Sequence, residues 1–364
     1  MLFQAVAANS PSSVSGSNHV AQVITVEDPS ATDAFRPRPE IVRAMVDRAL
    51  TNLTSRPNVR EAWLSLVTTK DIVGLKVYSP PGPNSGTRPA VVAALIEGLL
   101  EAGLPTNHII IWDKQNVDLR LAGFYEVAEK YGVRVAGSFQ AGYDEKTFYE
   151  TALLGNLVWG DLEFGQKGNG VGRKSYVSKL VSREITKIIN ITPMLNHNLV
   201  GVTGNLFSLA SGSVDNFNRF ESNPERLATA VPEICALPAL YDHLVLNIVD
   251  ALVCQYEGSE RSLLHYSVEL NQLRFSRDPV ALDALSYDEL DRQRRLASAL
   301  TVKPNLELLQ NATLLEMGVS DLKRIHIEMI HSHETPTDTK TPGFEQGTPN
   351  GVEKTNAVSN GKSE

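Results

Sequence analysis

Five polar side chains stand where this sequence should bring buried strands to an end: Lys76, Asp113, His197, Asp215 and Asp250. An ammonium group can bind an anion or, once desolvated, act as a base. An imidazole shuttles protons near neutral pH, and carboxylates orient either group or hold a divalent cation. Together they suit proton transfer on a small anionic substrate, with Lys76, His197 and Asp113 as the catalytic candidates. Candidate ligand contacts are Asn84, Thr87, Arg88, Asn196, Thr203, Gly204, Asp215, Asn216 and Asp250, which sit in or beside the same loops. Each residue taken singly has a plainer role. A lysine can run its stem to solvent, an aspartate can cap the next helix, and a loop histidine is more often a structural contact than a catalyst.

The stretch Asp71 to Lys114 must position the first of these groups. Ile72 to Tyr78 is apolar on both faces except at Lys76, as a central strand of a helix-covered parallel sheet would be. SPPGPNSGTRP follows as a loop kept irregular by proline and glycine, and a helix opens with Thr87 as N-cap and Pro89 in its first turn. It runs to Ala102 and stops at Gly103. A second apolar strand, His108 to Trp112, ends on Asp113. Strand, helix, strand predicts a right-handed crossover with ligands beyond the carboxyl ends of the strands.

Further along, Val117 to Tyr131 reads as a helix and Val133 to Ala136 as a third strand, completing a doubly wound half. Gly168, Gly170 and Gly172 lack the preceding buried strand and following helix of a dinucleotide loop, so a mobile hairpin loop is expected there. Its Lys167, Arg173 and Lys174 could cover an anionic ligand. Ile185 to Ile191 is another apolar strand delivering Asn196, His197 and Asn198 beyond its end. The small-residue runs GVTGN and ASGSVDN let backbone amides approach a ligand. LVLNIV is a buried strand ending on Asp250, and Asp278-Pro279 opens a helix as N-cap and first residue. Asp283, Asp288, Glu289 and Asp291 against Arg292, Arg294 and Arg295 read as a solvated helix with charge pairs.

VGLKV, the loop closing on TRP, EGLLEAG and IIIWD occur in the order found in the domain of unknown function 362 family, and this chain resembles a member. The resemblance continues through NITPMLNHNLVGVTGNL, SGSVDN, NIVDAL and SRDPVALDAL, about residues 40 to 325. It implies little chemistry, because the family is largely uncharacterised; some members are joined to iron–sulfur ferredoxin modules and some are exported by the twin-arginine route. Relatives tend to have a lysine shortly before the matching histidine and a Lys-Asn pair shortly after the matching Thr-Gly. This chain has Leu195 and Phe207-Ser208 instead, which puts the activity in doubt and keeps a non-catalytic binding or accessory protein as the alternative to an enzyme.

The chain's bounds narrow the classes further. A net charge of −8 over 364 residues speaks against a nucleic-acid partner, which usually requires a basic stripe. No apolar run approaches the roughly 20 residues that span a bilayer. Cys235 and Cys254 cannot supply the four thiolates of an iron–sulfur cluster, so none is expected on this chain, and other cofactors stay unassigned. His326, His331 and His333 keep no common helical face, and no metal set is expected from them. The expected organisation is a tail or signal remnant over 1–30, an α/β half over 31–140, a second α/β half over 141–332 that completes the crevice, and a disordered tail over 333–364. Ala5-Val6-Ala7 has the form of a signal-peptidase site, so the expected location is the cytoplasm, or outside it if that segment is a truncated signal.

Overall fold

The computed structural model describes residues 20–166, 168–259, 261–299 and 306–331. In chain order these form β1 (Ala21–Glu27), a short ribbon of β2 (Thr32–Asp33) and β3 (Arg36–Pro37), α1 (Pro39–Thr54), α2 (Val59–Leu64), β4 (Val73–Val77), α3 (Pro89–Glu101) and β5 (Ile109–Asp113). Next come α4 (Asn116–Leu121), α5 (Phe124–Tyr131), β6 (Arg134–Gly137), α6 (Ser138–Ala141), a hairpin of β7 (Tyr143–Asn156) and β8 (Val171–Ser178), β9 (Lys187–His197) and β10 (Gly201–Val202). The remainder is α7 (Asn205–Ser213), α8 (Asn218–Glu221), α9 (Pro224–Cys235), α10 (Pro238–Tyr241), β11 (Leu244–Gln255), β12 (Ser267–Ser276), α11 (Pro279–Leu296), α12 (Glu307–Leu314) and β13 (Ile325–His331).

One large sheet runs β13-β1-β12-β11-β9-β4-β5-β6, with β10 added beside β9. From β11 through β6 every pairing is parallel, and β12 alone in the main run is reversed against both its neighbours. The expected α/β architecture with a mostly parallel, doubly wound sheet is therefore the one this chain adopts. Side-chain alternation explains the two helical layers. On β4, Val73, Leu75 and Val77 enter a core with α1 and α3. Ile110, Trp112 and Ile188 face the other way, into a core with α7, α9 and α11. Both halves of the chain contribute to this sheet, since β9 lies between β4 and β11.

Several expectations need correction. Residues 21–27 are not tail: β1 pairs with β12 on one side and β13 on the other, with Val23, Ile24 and Val26 fully buried. Residues 1–19 and 332–364, including Ala5-Val6-Ala7 and the expected C-terminal tail, lie outside the described residues. The helix expected over 117–131 is two helices, with the chain turning at Ala122 and Gly123 between them. Strands β9 and β11 run on past Ile191 and Val249. Pro193 has no amide proton to give a ladder, and opposite it β11 carries three extra residues between Asp250 and Cys254, so pairing resumes beyond the bulge.

The position of β1 yields a quantitative expectation. Each fully buried aliphatic side chain stabilises by about 1.5–3 kcal/mol, so losing the strand removes an amount comparable to the roughly 5–15 kcal/mol of a whole domain. A chain starting at residue 30 is expected to lose cooperative thermal unfolding, whereas one starting at Val20 keeps it. A cooperative melt of the shorter chain near that of the longer one would show that β1 is dispensable.

Candidate functional site

Lys76 lies on the face of β4 crossed by α7 and is fully buried. Its ammonium donates to Asp113 Oδ1 (2.8 Å), to the Val77 carbonyl (2.6 Å) and to Ser208 Oγ of α7 (3.0 Å). An ammonium has three protons to give, and all three are engaged. Helix α7 comes this close because residue 212 is glycine: a Cβ there would stand 2.2 Å from Lys76 Cε and 2.9 Å from Asp113 Oδ1. The second oxygen of Asp113 accepts the N–H (2.8 Å) and O–H (2.7 Å) of Ser79, which starts the proline-glycine loop. Burial lowers the pKa of Lys76 and the Asp113 carboxylate opposes that shift. The buried pair thus folds the loop back onto the ends of β4 and β5.

A second buried pair holds the start of α3. Asp250 Oδ2 accepts the Arg88 N–H (3.0 Å), and Oδ1 meets Arg88 Nη1 at 2.9 Å. A carboxylate from β11 therefore sits at the N-terminus of α3, where the helix dipole and free N–H groups favour it. Arg88 occupies the N-cap position expected for Thr87. Thr87 instead ties strands together, its hydroxyl accepting from Tyr78 N–H and donating to the Ile191 carbonyl. Asn84 is exposed and contributes its carbonyl to Arg88 Nη2 (2.9 Å).

The N-terminus of α7 repeats this arrangement with Asp283 of α11. Its oxygens accept Asn205 N–H (2.6 Å), Asn205 Nδ2 (3.0 Å) and Leu206 N–H (3.0 Å). Gly204 makes room for it, at φ +55° with any Cβ falling 2.6–2.7 Å from the carboxyl group. Asp283 is buried, not part of a solvated face, as is Arg294 on the same helix. Burial raises the Asp283 carboxyl pKa to about 7 against the effect of its N–H donors. The signal lay in the apolar run around it, PVALDAL, which leaves no solvated side at that position. Thr203 is buried beside Gly204, and its hydroxyl has no hydrogen-bond partner among the described residues.

Asp215 and Asn216 fasten the β7–β8 hairpin. Asp215 accepts from the backbone of Leu162 and Tyr176, while Asn216 donates Nδ2 to the Lys174 carbonyl (2.9 Å) and its own N–H to Asp161 (2.9 Å). The hairpin that carries the expected mobile loop is tied down at these points. Lys174 lies over the Phe148 ring, Arg173 is exposed, and Lys167 lies outside the described residues. Burial raises the pKa of Asp215 to about 6. Lys114, next to Asp113, donates to the Val214 carbonyl and feels Asp215, Asp161, Glu221 and Asp113, so carboxylates outnumber ammonium groups here.

His197 is the last residue of β9, on the same edge of the sheet as Lys76 and Asp113. Its Nδ1 accepts the N–H groups of Leu199 and Val200 (both 3.3 Å), closing the turn into β10, and its ring packs on Phe207 with centroids 4.3 Å apart. Burial lowers its pKa to about 4, so it is neutral at physiological pH. Neighbouring Asn196 accepts from Ser259 N–H (2.9 Å) and donates to Asn198. Phe207 and Ser208 stand where the family resemblance implied a Lys-Asn pair: one packs on His197, the other bonds Lys76. Leu195 is a buried core residue.

The candidates thus divide among separate clusters: Lys76 with Asp113, Arg88 with Asp250, Asp215 with Asn216, and His197 with Asn196. Ser79 and Asp161 complete them and carry no sequence pattern of their own, being small or singly placed polar residues; Ser208, Gly212 and Asp283 are legible only as a departure from the family, a member of a small-residue run and part of a charged helix. Fold and edge define an α/β protein whose polar strand ends anchor loops. Residues 73–288, more than half of the chain, match the Domain of unknown function (DUF362), and the chain belongs to that family. No curated protein matches it. Among solved structures it is similar to a protein from Thermotoga maritima determined as a structural-genomics target, at 13% identity and a TM-score of 0.39; the likeness covers 75% of this chain and 61% of that one.

Proposed function

We propose that this chain is a binding or accessory member of its family, without proton-transfer chemistry at Lys76 and His197. The observation that carries this reading is the Lys76 ammonium, whose three donors are all spent inside the protein beneath Gly212. A base must reach the proton it removes within about 3 Å, directly or through one water. Lys76 can do so only if α7 lifts away. His197 gives its Nδ1 lone pair to two backbone N–H groups, which suits a turn better than a shuttle. The ligand class this reading favours is not an anion either, because Lys76 and Arg88, the cations placed to receive one, are already neutralised by Asp113 and Asp250.

The test is hydrogen exchange. The full chain is incubated in D2O with a panel of small carboxylic and phosphorylated acids, and loss of C–H signal is followed by NMR, alongside native mass spectrometry of gently purified protein. A retained small molecule with no exchange above the uncatalysed rate is expected. Saturable exchange that disappears in His197→Gln would overturn the reading and restore the enzyme.

A further inference from the structure

A cleft of about 430 Å³ lies between α11, α12 and the turn before β13, and none of the strand-end candidates lines it. Sites for small organic ligands begin at a few hundred cubic ångströms. Its floor is apolar, from Ala284 and Tyr287 of α11 and Leu309 of α12, with Leu322 at the lip. Asp288, Asp291 and Asp321 also line it, and among the described residues no lysine or arginine does.

Two of these carboxylates have local work. Asp291 pairs with Arg295 one helical turn on, and Asp321 accepts the Lys323 N–H (3.0 Å). Asp288 is exposed and makes no hydrogen bond or ion pair among the described residues. The helix turn that carries it also carries Tyr287, whose ring forms part of the apolar wall. An aromatic and aliphatic floor beneath an unpaired carboxylate matches a ligand with an apolar body and a cationic head. An anion would be repelled by Asp288 and Asp321, and a wholly apolar molecule would leave Asp288 unused. We infer that this cleft is a binding site for a small amphiphilic amine, separate from the strand-end network.

Phenethylamine is a suitable probe, with 3-phenylpropionate and 2-phenylethanol as anionic and neutral counterparts of similar size, each titrated into the full chain at low salt and followed by NMR. For an amine of about nine non-hydrogen atoms the expected Kd is in the millimolar range. Binding of the alcohol should be several-fold weaker and of the carboxylate at least about tenfold weaker, with the amine's advantage shrinking as salt is raised. Asp288→Asn should weaken the amine several-fold and leave the alcohol unchanged. Leu322→Arg, which hangs a guanidinium over the lip, should abolish amine binding. Both positions are exposed, so unchanged melting temperatures confirm that the variants are folded. Failure of the amine to saturate, equal binding of the carboxylate, or amine binding unmoved by both substitutions would overturn the site.

Discussion

Asp113→Ala is expected to destabilise the protein by about 3–5 kcal/mol, the cost of stripping the partner from one half of a buried ion pair. The substitution leaves the fully buried Lys76 ammonium facing only the Val77 carbonyl and Ser208, and it removes the acceptor of both Ser79 donors. Set against a total of roughly 5–15 kcal/mol, that loss leaves a marginal fold. Lys76→Met should cost less, because the Asp113 carboxylate it exposes keeps its two bonds to Ser79. The double variant Lys76→Met with Asp113→Leu should recover most of the loss, since replacing both charges with apolar groups removes the desolvation penalty along with the attraction. Urea unfolding of the three variants gives the ordering. If Asp113→Ala fell within about 1 kcal/mol of the parent, the pair would be behaving as an exposed one, and the closed network described above would be wrong.

That pair also marks how far the sequence could be read. A single lysine in an otherwise apolar strand demanded an explanation, and the strand, loop, helix, strand order placed Asp113 on the same edge, where it bonds Lys76 at 2.8 Å. Strand identity followed from continuous apolar runs, because parallel strands covered on both faces leave little choice of residue. What could not be read was which helix would lie across the polar row. Nothing near Lys76 in sequence points to Ser208 or Gly212, more than a hundred residues away. Their contribution is the absence of bulk and one hydroxyl, and neither leaves a periodic trace. Asp250 misled for a related reason: an apolar strand ending on a carboxylate looks finished, yet β11 bulges there and runs on to Gln255. At the strand ends where a crevice was expected, Asp113 holds the start of the loop at Ser79 and Asp250 holds the start of α3 at Arg88.

The second large effect is expected at Asp283. In Asp283→Ala, two backbone N–H groups and the Asn205 amide lose their acceptor in a buried setting. An unsatisfied buried donor costs about 1–3 kcal/mol, so a total of roughly 4 kcal/mol is expected even with partial relaxation. Asp283→Asn keeps the shape and one acceptor oxygen and should cost less, and it removes a titration whose direction is fixed. The carboxyl pKa is about 7 in the folded protein against an ordinary 3.8. Between about pH 4 and pH 7 the folded chain therefore holds a proton that the unfolded chain has released. By linkage, the contribution of Asp283 to stability is fully present below pH 4, falls as pH rises through that window, and is flat above it. Asp215, raised to about 6, acts in the same direction, and His197, lowered to about 4, acts in the opposite one. The measurement is accordingly a difference: unfolding free energies of the parent and Asp283→Asn at several pH values from 4 to 8. The parent should lose stability relative to the variant up to about pH 7 and no further. Two curves that stay parallel would mean that Asp283 is already ionised at pH 4, held so by the amides at the start of α7.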